Sequence, residues 1–95
     1  MIAGFSIVPL DKGPSLSAHV AEAFKIIEAS GLLFEHHAMG TNLEGDWDDV
    51  MAVIRACRDR LLESSDRVSI SIKIDDRRGV RNRLAKKVPS ARSKM

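Results

Sequence analysis

The sequence predicts an α+β sandwich: a four-stranded antiparallel sheet with two helices on one face. Three features carry that prediction. Four segments alternate apolar and polar residues with the period of two that a half-buried strand requires. Two further segments repeat apolar residues every three or four positions, the period of a helix with one buried stripe. In chain order they read β-α-β-β-α-β. The economical way to bury the apolar faces of such a chain is the ferredoxin-like βαββαβ arrangement.

Residues 2–9 (IAGFSIVP) set Ala3, Phe5 and Ile7 on one side and Gly4, Ser6 and Val8 on the other, and Pro9 stops the strand. Gly13 and Pro14 make the next link a loop. Ser15 or Ser17 can then accept a hydrogen bond from the free amides of a helix that runs to about Ser30. Leu16, Val20, Phe24 and Ile27 form its stripe, and Gly31 is a C-terminal stop. Residues 32–39 (LLFEHHAM) are a second strand, with Phe34, His36 and Ala38 on the core face and Leu33, Glu35, His37 and Met39 on the other. A short third strand follows over about 40–45. Asp46 is placed to cap the second helix, and Trp47, Val50, Ile54, Cys57 and Leu61 make its buried stripe. Ser64, Ser65 and Asp66 break that helix. Residues 67–75 (RVSISIKID) give the cleanest alternation, Val68, Ile70, Ile72 and Ile74 against Ser69, Ser71 and Lys73. In this topology the first and third strands are central and the other two are edges. A long regular edge invites pairing with another chain, so a homo-oligomer is expected.

With 95 residues there is room for one two-layer core and not two. We expect the folded domain over 1–79 and a tail, weakly helical or disordered, over 80–95. The net charge of +2 hides an asymmetry: up to Asp76 there are 7 Lys/Arg against 13 Asp/Glu, and from Arg77 onward 8 Lys/Arg and no acid. The body is therefore acidic and the basicity sits in the tail. No apolar run approaches the ~20 residues that span a bilayer, and the start MIAGFSIVPL lacks the basic opening of a secretory signal. A single cysteine, Cys57, excludes an internal disulfide. The expected setting is the cytoplasm, with no membrane partner.

No catalytic signature is present: there is no nucleophile elbow, phosphate-cradling glycine loop, zinc motif or cysteine pair. His36 and His37 are adjacent in a strand and face opposite ways, so they cannot share a metal. Cys57 on a buried stripe reads as packing. RNA binding is disfavoured because a sheet of this topology that binds RNA displays stacking aromatics, whereas the strand aromatics here, Phe5 and Phe34, sit on core faces. What remains is the stretch MGTNLEGDW (39–47), richer in polar groups than a connector needs.

In that stretch and around it, the chain resembles the family of small thiamine-binding proteins. The matching pieces are SIVPL (6–10), HVAEAFKIIEASGL (19–32), HAMGTNLEGDWDDVMAVIRAC (37–57) and RVSISIKIDDRRG (67–79). The resemblance implies a ferredoxin-like protomer assembled as dimers or tetramers through its sheets. It also implies a pocket for thiamine or its aminopyrimidine part and no catalysed reaction, with no cofactor beyond thiamine as bound ligand. Thiamine is flat and cationic, and a site for it needs apolar walls, a few placed polar groups and negative charge. Under that resemblance Thr41 and Asn42 would meet ring nitrogens, and Glu44 the amino group or the cation. Ser6 and Ser71 would line the open face, and Trp47 would supply a wall. The alternative is an oligomeric regulatory or interaction protein of the same fold with a different small ligand.

Overall fold

The computed structural model describes residues 1–11 and 16–78. The order is β1 (Ile2–Pro9), α1 (Leu16–Ala29), β2 (Leu33–His37), β3 (Gly40–Glu44), α2 (Trp47–Leu62) and β4 (Val68–Asp75). The strands form one antiparallel sheet in the order β2-β3-β1-β4, so β1 and β3 are central and β2 and β4 are edges. This is the ferredoxin-like arrangement that the alternation predicts. The serines proposed to cap the first helix, and the expected tail over 80–95, fall on residues whose side chains or backbone lie outside the described set.

The core is the layer between the sheet and the two helices. Ala3, Phe5 and Ile7 of β1 and Leu43 of β3 meet Ala23 and Ile27 of α1 and Val50, Val53, Ile54, Cys57 and Leu61 of α2. Ile27, Leu43 and Leu61 are fully buried, each contributing about 1.5–3 kcal/mol by leaving water. Helix α1 ends where Gly31 adopts φ 81°, a backbone state that costs glycine nothing. The Ser30 hydroxyl closes that end by donating to Ile27 O (2.6 Å) and accepting from Leu32 N (3.2 Å).

Several expectations are corrected. Trp47 is 54% exposed and is not part of the α2 stripe. Val50, one turn later, already packs beside Leu32 and Gly45, so the first turn overhangs the core. Val53, which the stripe omitted, takes a buried place. Phe34 faces the helix side, opposite Leu43, yet it is exposed because β2 is an edge with sheet on one side only. Asp46 does occupy the N-cap position of α2, but its side chain makes no capping hydrogen bond; its carbonyl accepts from Val50 N (2.9 Å) instead. The second strand is also shorter than expected, five residues, with Ala38 and Met39 forming the hairpin turn.

The link from α2 to β4 does more than break a helix. Ser65 is buried and its hydroxyl donates to the Asp11 carboxylate, which also accepts from Asp66 N (2.9 Å). Leu10 N donates to Arg67 O (2.8 Å). These bonds tie the exit of β1 to the entrance of β4, fixing the register of the strand that flanks the site.

Candidate functional site

Directly opposed residues of an antiparallel sheet share a face, so the register sorts the candidate residues. One row across the sheet, away from the helices, runs Glu35–Asn42–Gly4–Lys73. The next holds His37 opposite Gly40 on one side and Ser6 opposite Ser71 on the other. Two glycines therefore stand on the two central strands, and the face is hollowed where side chains are missing. The hollow has a volume of about 280 Å³ and is lined by Ser6, Asn42, Ser71, Lys73, His37 and Met39, with Gly4 among its walls. That is near the lower end of the roughly 300–1,000 Å³ of small-molecule sites.

Local structure sets each wall. A β-carbon on Gly4 would stand 3.2 Å from Asn42 Oδ1, so the amide of Asn42 occupies the space the glycine leaves. Gly40 has φ 149°, and a β-carbon there would collide with the Phe5 carbonyl. Only glycine lets β3 start this close to β1. Met39 N donates to His37 Nδ1 (3.2 Å). That bond leaves Nε2 as the ring nitrogen that carries the proton in neutral His37. Lys73 and Glu35, at opposite ends of their row, have no ion-pair partner among the described residues.

Of the six residues proposed from the sequence, the structure gathers three, Ser6, Asn42 and Ser71, around this hollow. Thr41 points the other way. It is buried on the helix side, opposite Phe5 and His36, and its hydroxyl shares a 2.9 Å hydrogen bond with His36 Nδ1. There it lines a second cavity, of about 200 Å³, between α1 and the sheet, whose other walls include Phe5, Ile7, Val20, Phe24 and Ile27. Glu44 is on the open side but two residues further along β3, 7% exposed, and borders a different depression with Met1, Leu33 and Asp46. Trp47 lines neither. A β-strand turns consecutive side chains to opposite faces; the adjacent pair Thr41 and Asn42 could not serve one ligand from one side. Gly4, His37, Met39 and Lys73 were missed, although the same alternation that selected Ser6 and Ser71 puts them on the same face.

His36 is the pivot of the helix-side cavity's neighbourhood. Phe24 of α1 stacks on its ring, with centroids 3.9 Å apart and planes 21° apart. Its Nε2 lies 3.4 Å from Glu28 Oε1 without the alignment of a hydrogen bond. Among the described residues no group of three or more His, Cys, Asp and Glu is placed to hold a metal, and no helix is long and apolar enough to cross a membrane. Cys57 is fully buried, with Sγ 3.7 Å from Ala23 O, and burial pushes its thiol up to about 11.

The fold and this face define a ferredoxin-like protein with a polar hollow on the uncovered side of its sheet. The family model described as "Thiamine-binding protein" matches residues 3–92. The chain belongs to that family. It is 38% identical to the UPF0045 protein of Methanocaldococcus jannaschii over 88 residues, 93% of this chain and 88% of that one. The UPF0045 protein of Mycobacterium bovis is 37% identical over 89 residues, 93% of this chain and 87% of that one. Among solved structures, the M. jannaschii protein superposes with a TM-score of 0.84 at 37% identity, covering 95% of this chain and 93% of that one. A Thermotoga maritima protein, proposed to act in thiamine biosynthesis or salvage, also reaches 0.84, covering 95% and 96% at 20% identity, which speaks to the fold alone.

Proposed function

We propose that this chain binds thiamine or its aminopyrimidine moiety without catalysing a reaction, in the hollow on the open sheet face. The observation that carries the proposal is the convergence of Ser6, Asn42 and Ser71, from three different strands, in a chain of the thiamine-binding family. An aminopyrimidine edge presents alternating acceptors and donors. A primary amide offers both from one planar group, while the two hydroxyls can meet the oxygen-bearing arm at the ligand's other end. Met39, 83% exposed at the hairpin turn, would lay its unbranched apolar side chain against a flat ring. Glu35, the register partner of Asn42 just beyond the hollow's lining, would supply from its edge the negative charge that a thiazolium cation favours. The helix-side cavity suits this ligand less well. Its walls are chiefly apolar, and its Thr41 hydroxyl is already bonded to His36. Carriage, sensing and salvage are all served by such binding. Calorimetric titration with thiamine and with the free aminopyrimidine tests the reading. Binding that weakens in Asn42→Ala and Ser71→Ala supports it. Absence of heat with both ligands sinks it.

A second reading, assembly as a regulatory or interaction protein, draws on the edges. Strand β4 is eight residues long and, among the described residues, pairs only with β1; its Ile72 is 41% exposed on the helix side. Light scattering on the purified chain tests the expected dimer or tetramer, and a monomer at micromolar concentration overturns it.

A further inference from the structure

The hollow is not uniformly suited to a cation. Its row across the sheet begins with a carboxylate on β2, passes the Asn42 amide and the Gly4 gap, and ends with the ammonium of Lys73 on β4. Three inter-strand steps of about 4.8 Å separate the two ends, roughly 14 Å between backbones. Lys73 lines the hollow together with the hydroxyls of Ser6 and Ser71. One ammonium and two hydroxyls on neighbouring strands are donors with no carboxylate between them. A lone thiamine would leave that end with a positive charge facing it.

Resting on the thiamine reading, we propose that the physiological ligand is a phosphate ester of thiamine, lying across the strands with its cationic rings towards Glu35 and its phosphate at Lys73, Ser6 and Ser71. The alternative of a purely cationic ligand is disfavoured by the same geometry. Its hydroxyethyl arm would end beside Lys73 with nothing to neutralise it. A phosphate there accepts a charge-assisted hydrogen bond from the ammonium and ordinary ones from the hydroxyls. The glycine at position 4 matters to this arrangement because a side chain would block the path from Asn42 to Lys73.

Titration of the full chain with thiamine and with thiamine monophosphate, at low and high salt, tests the proposal. The monophosphate is expected to bind at least about tenfold more tightly, the ratio a single charge-assisted hydrogen bond supplies. That advantage should shrink as salt screens the exposed ammonium. Lys73→Met should remove the advantage and Lys73→Arg should keep most of it. Lys25→Met, on the far side of the molecule on α1, should leave it intact. Equal or weaker binding of the monophosphate by the wild type overturns the proposal while leaving thiamine binding standing, and so does an advantage that survives Lys73→Met. Absence of binding by either ligand removes the thiamine reading itself and this proposal with it.

Discussion

The side-chain oxygen of Asn42 lies over Gly4, 3.2 Å from where a β-carbon would stand. The two residues are register partners on the central strands, so the larger side chain leans into the space left by the smaller. This relationship makes the hollow testable without touching a polar group. Gly4→Val must push the Asn42 amide aside and fill the floor, while improving the strand propensity of β1. Ligand affinity should fall by about tenfold or more, the scale of one displaced polar contact. The urea midpoint should change little or rise. Retained affinity with a well-folded variant would mean that the ligand sits elsewhere, and the helix-side cavity would be next in line.

The framework was legible in the sequence because it rests on periodicity. Ala3-Phe5-Ile7 and Val68-Ile70-Ile72-Ile74 declare their faces by alternation, and the structure pairs them in that register. The candidate site was only half legible, for two physical reasons. The first is that a polar stretch reads as one unit along the chain, although Thr41 and Asn42 necessarily face opposite ways and Glu44 lies a further two residues along the strand. The second is that a hollow is made by what is absent. Gly4 contributes no group that a search for donors and acceptors would select, and its partner across the sheet became known only with the register. Trp47 failed differently: helical spacing places it on the stripe, but spacing says nothing of where the core ends.

His36 and Thr41 should behave as a coupled pair. His36→Ala removes the Phe24 stack, about 0.5–1.5 kcal/mol, and orphans a buried hydroxyl at about 1–3 kcal/mol. His36→Leu refills the volume and should cost less. In the double variant His36→Leu/Thr41→Val no polar atom is left without its partner, so the loss should fall below the sum of the two single losses. Urea unfolding of the four proteins measures this. Strict additivity would show that the hydrogen bond between β2 and β3 contributes nothing to stability.

Trp47 projects from the first turn of α2, away from both cavities. Trp47→Phe should leave thiamine affinity within about twofold and stability within about 0.5 kcal/mol, as for other surface positions. The indole is also the chain's only one, so its emission should be that of a solvated ring and should be quenched readily by acrylamide. A blue-shifted, protected emission would show that another chain covers this surface, and would favour the assembly reading.

The buried thiol gives a pH prediction of definite sign. Cys57 is raised to about 11 from an ordinary 9.0 because burial opposes the charged thiolate. At pH 8 only about one thiol in a thousand is ionised in the folded chain, and no solvent path reaches it. Alkylation by iodoacetamide should therefore be slow in native buffer and fast in urea. The folded state holds its proton more tightly than the unfolded one, so this group's contribution to stability is complete below about pH 9 and is lost as pH rises towards 11. Cys57→Ala removes the titrating group at the cost of a small void beside Ala23. The variant should be less stable near neutrality yet lose less of its stability between pH 9 and 11. An identical slope in both proteins would mean that the alkaline loss comes from other groups and that the thiol holds its proton equally in the folded and unfolded chains.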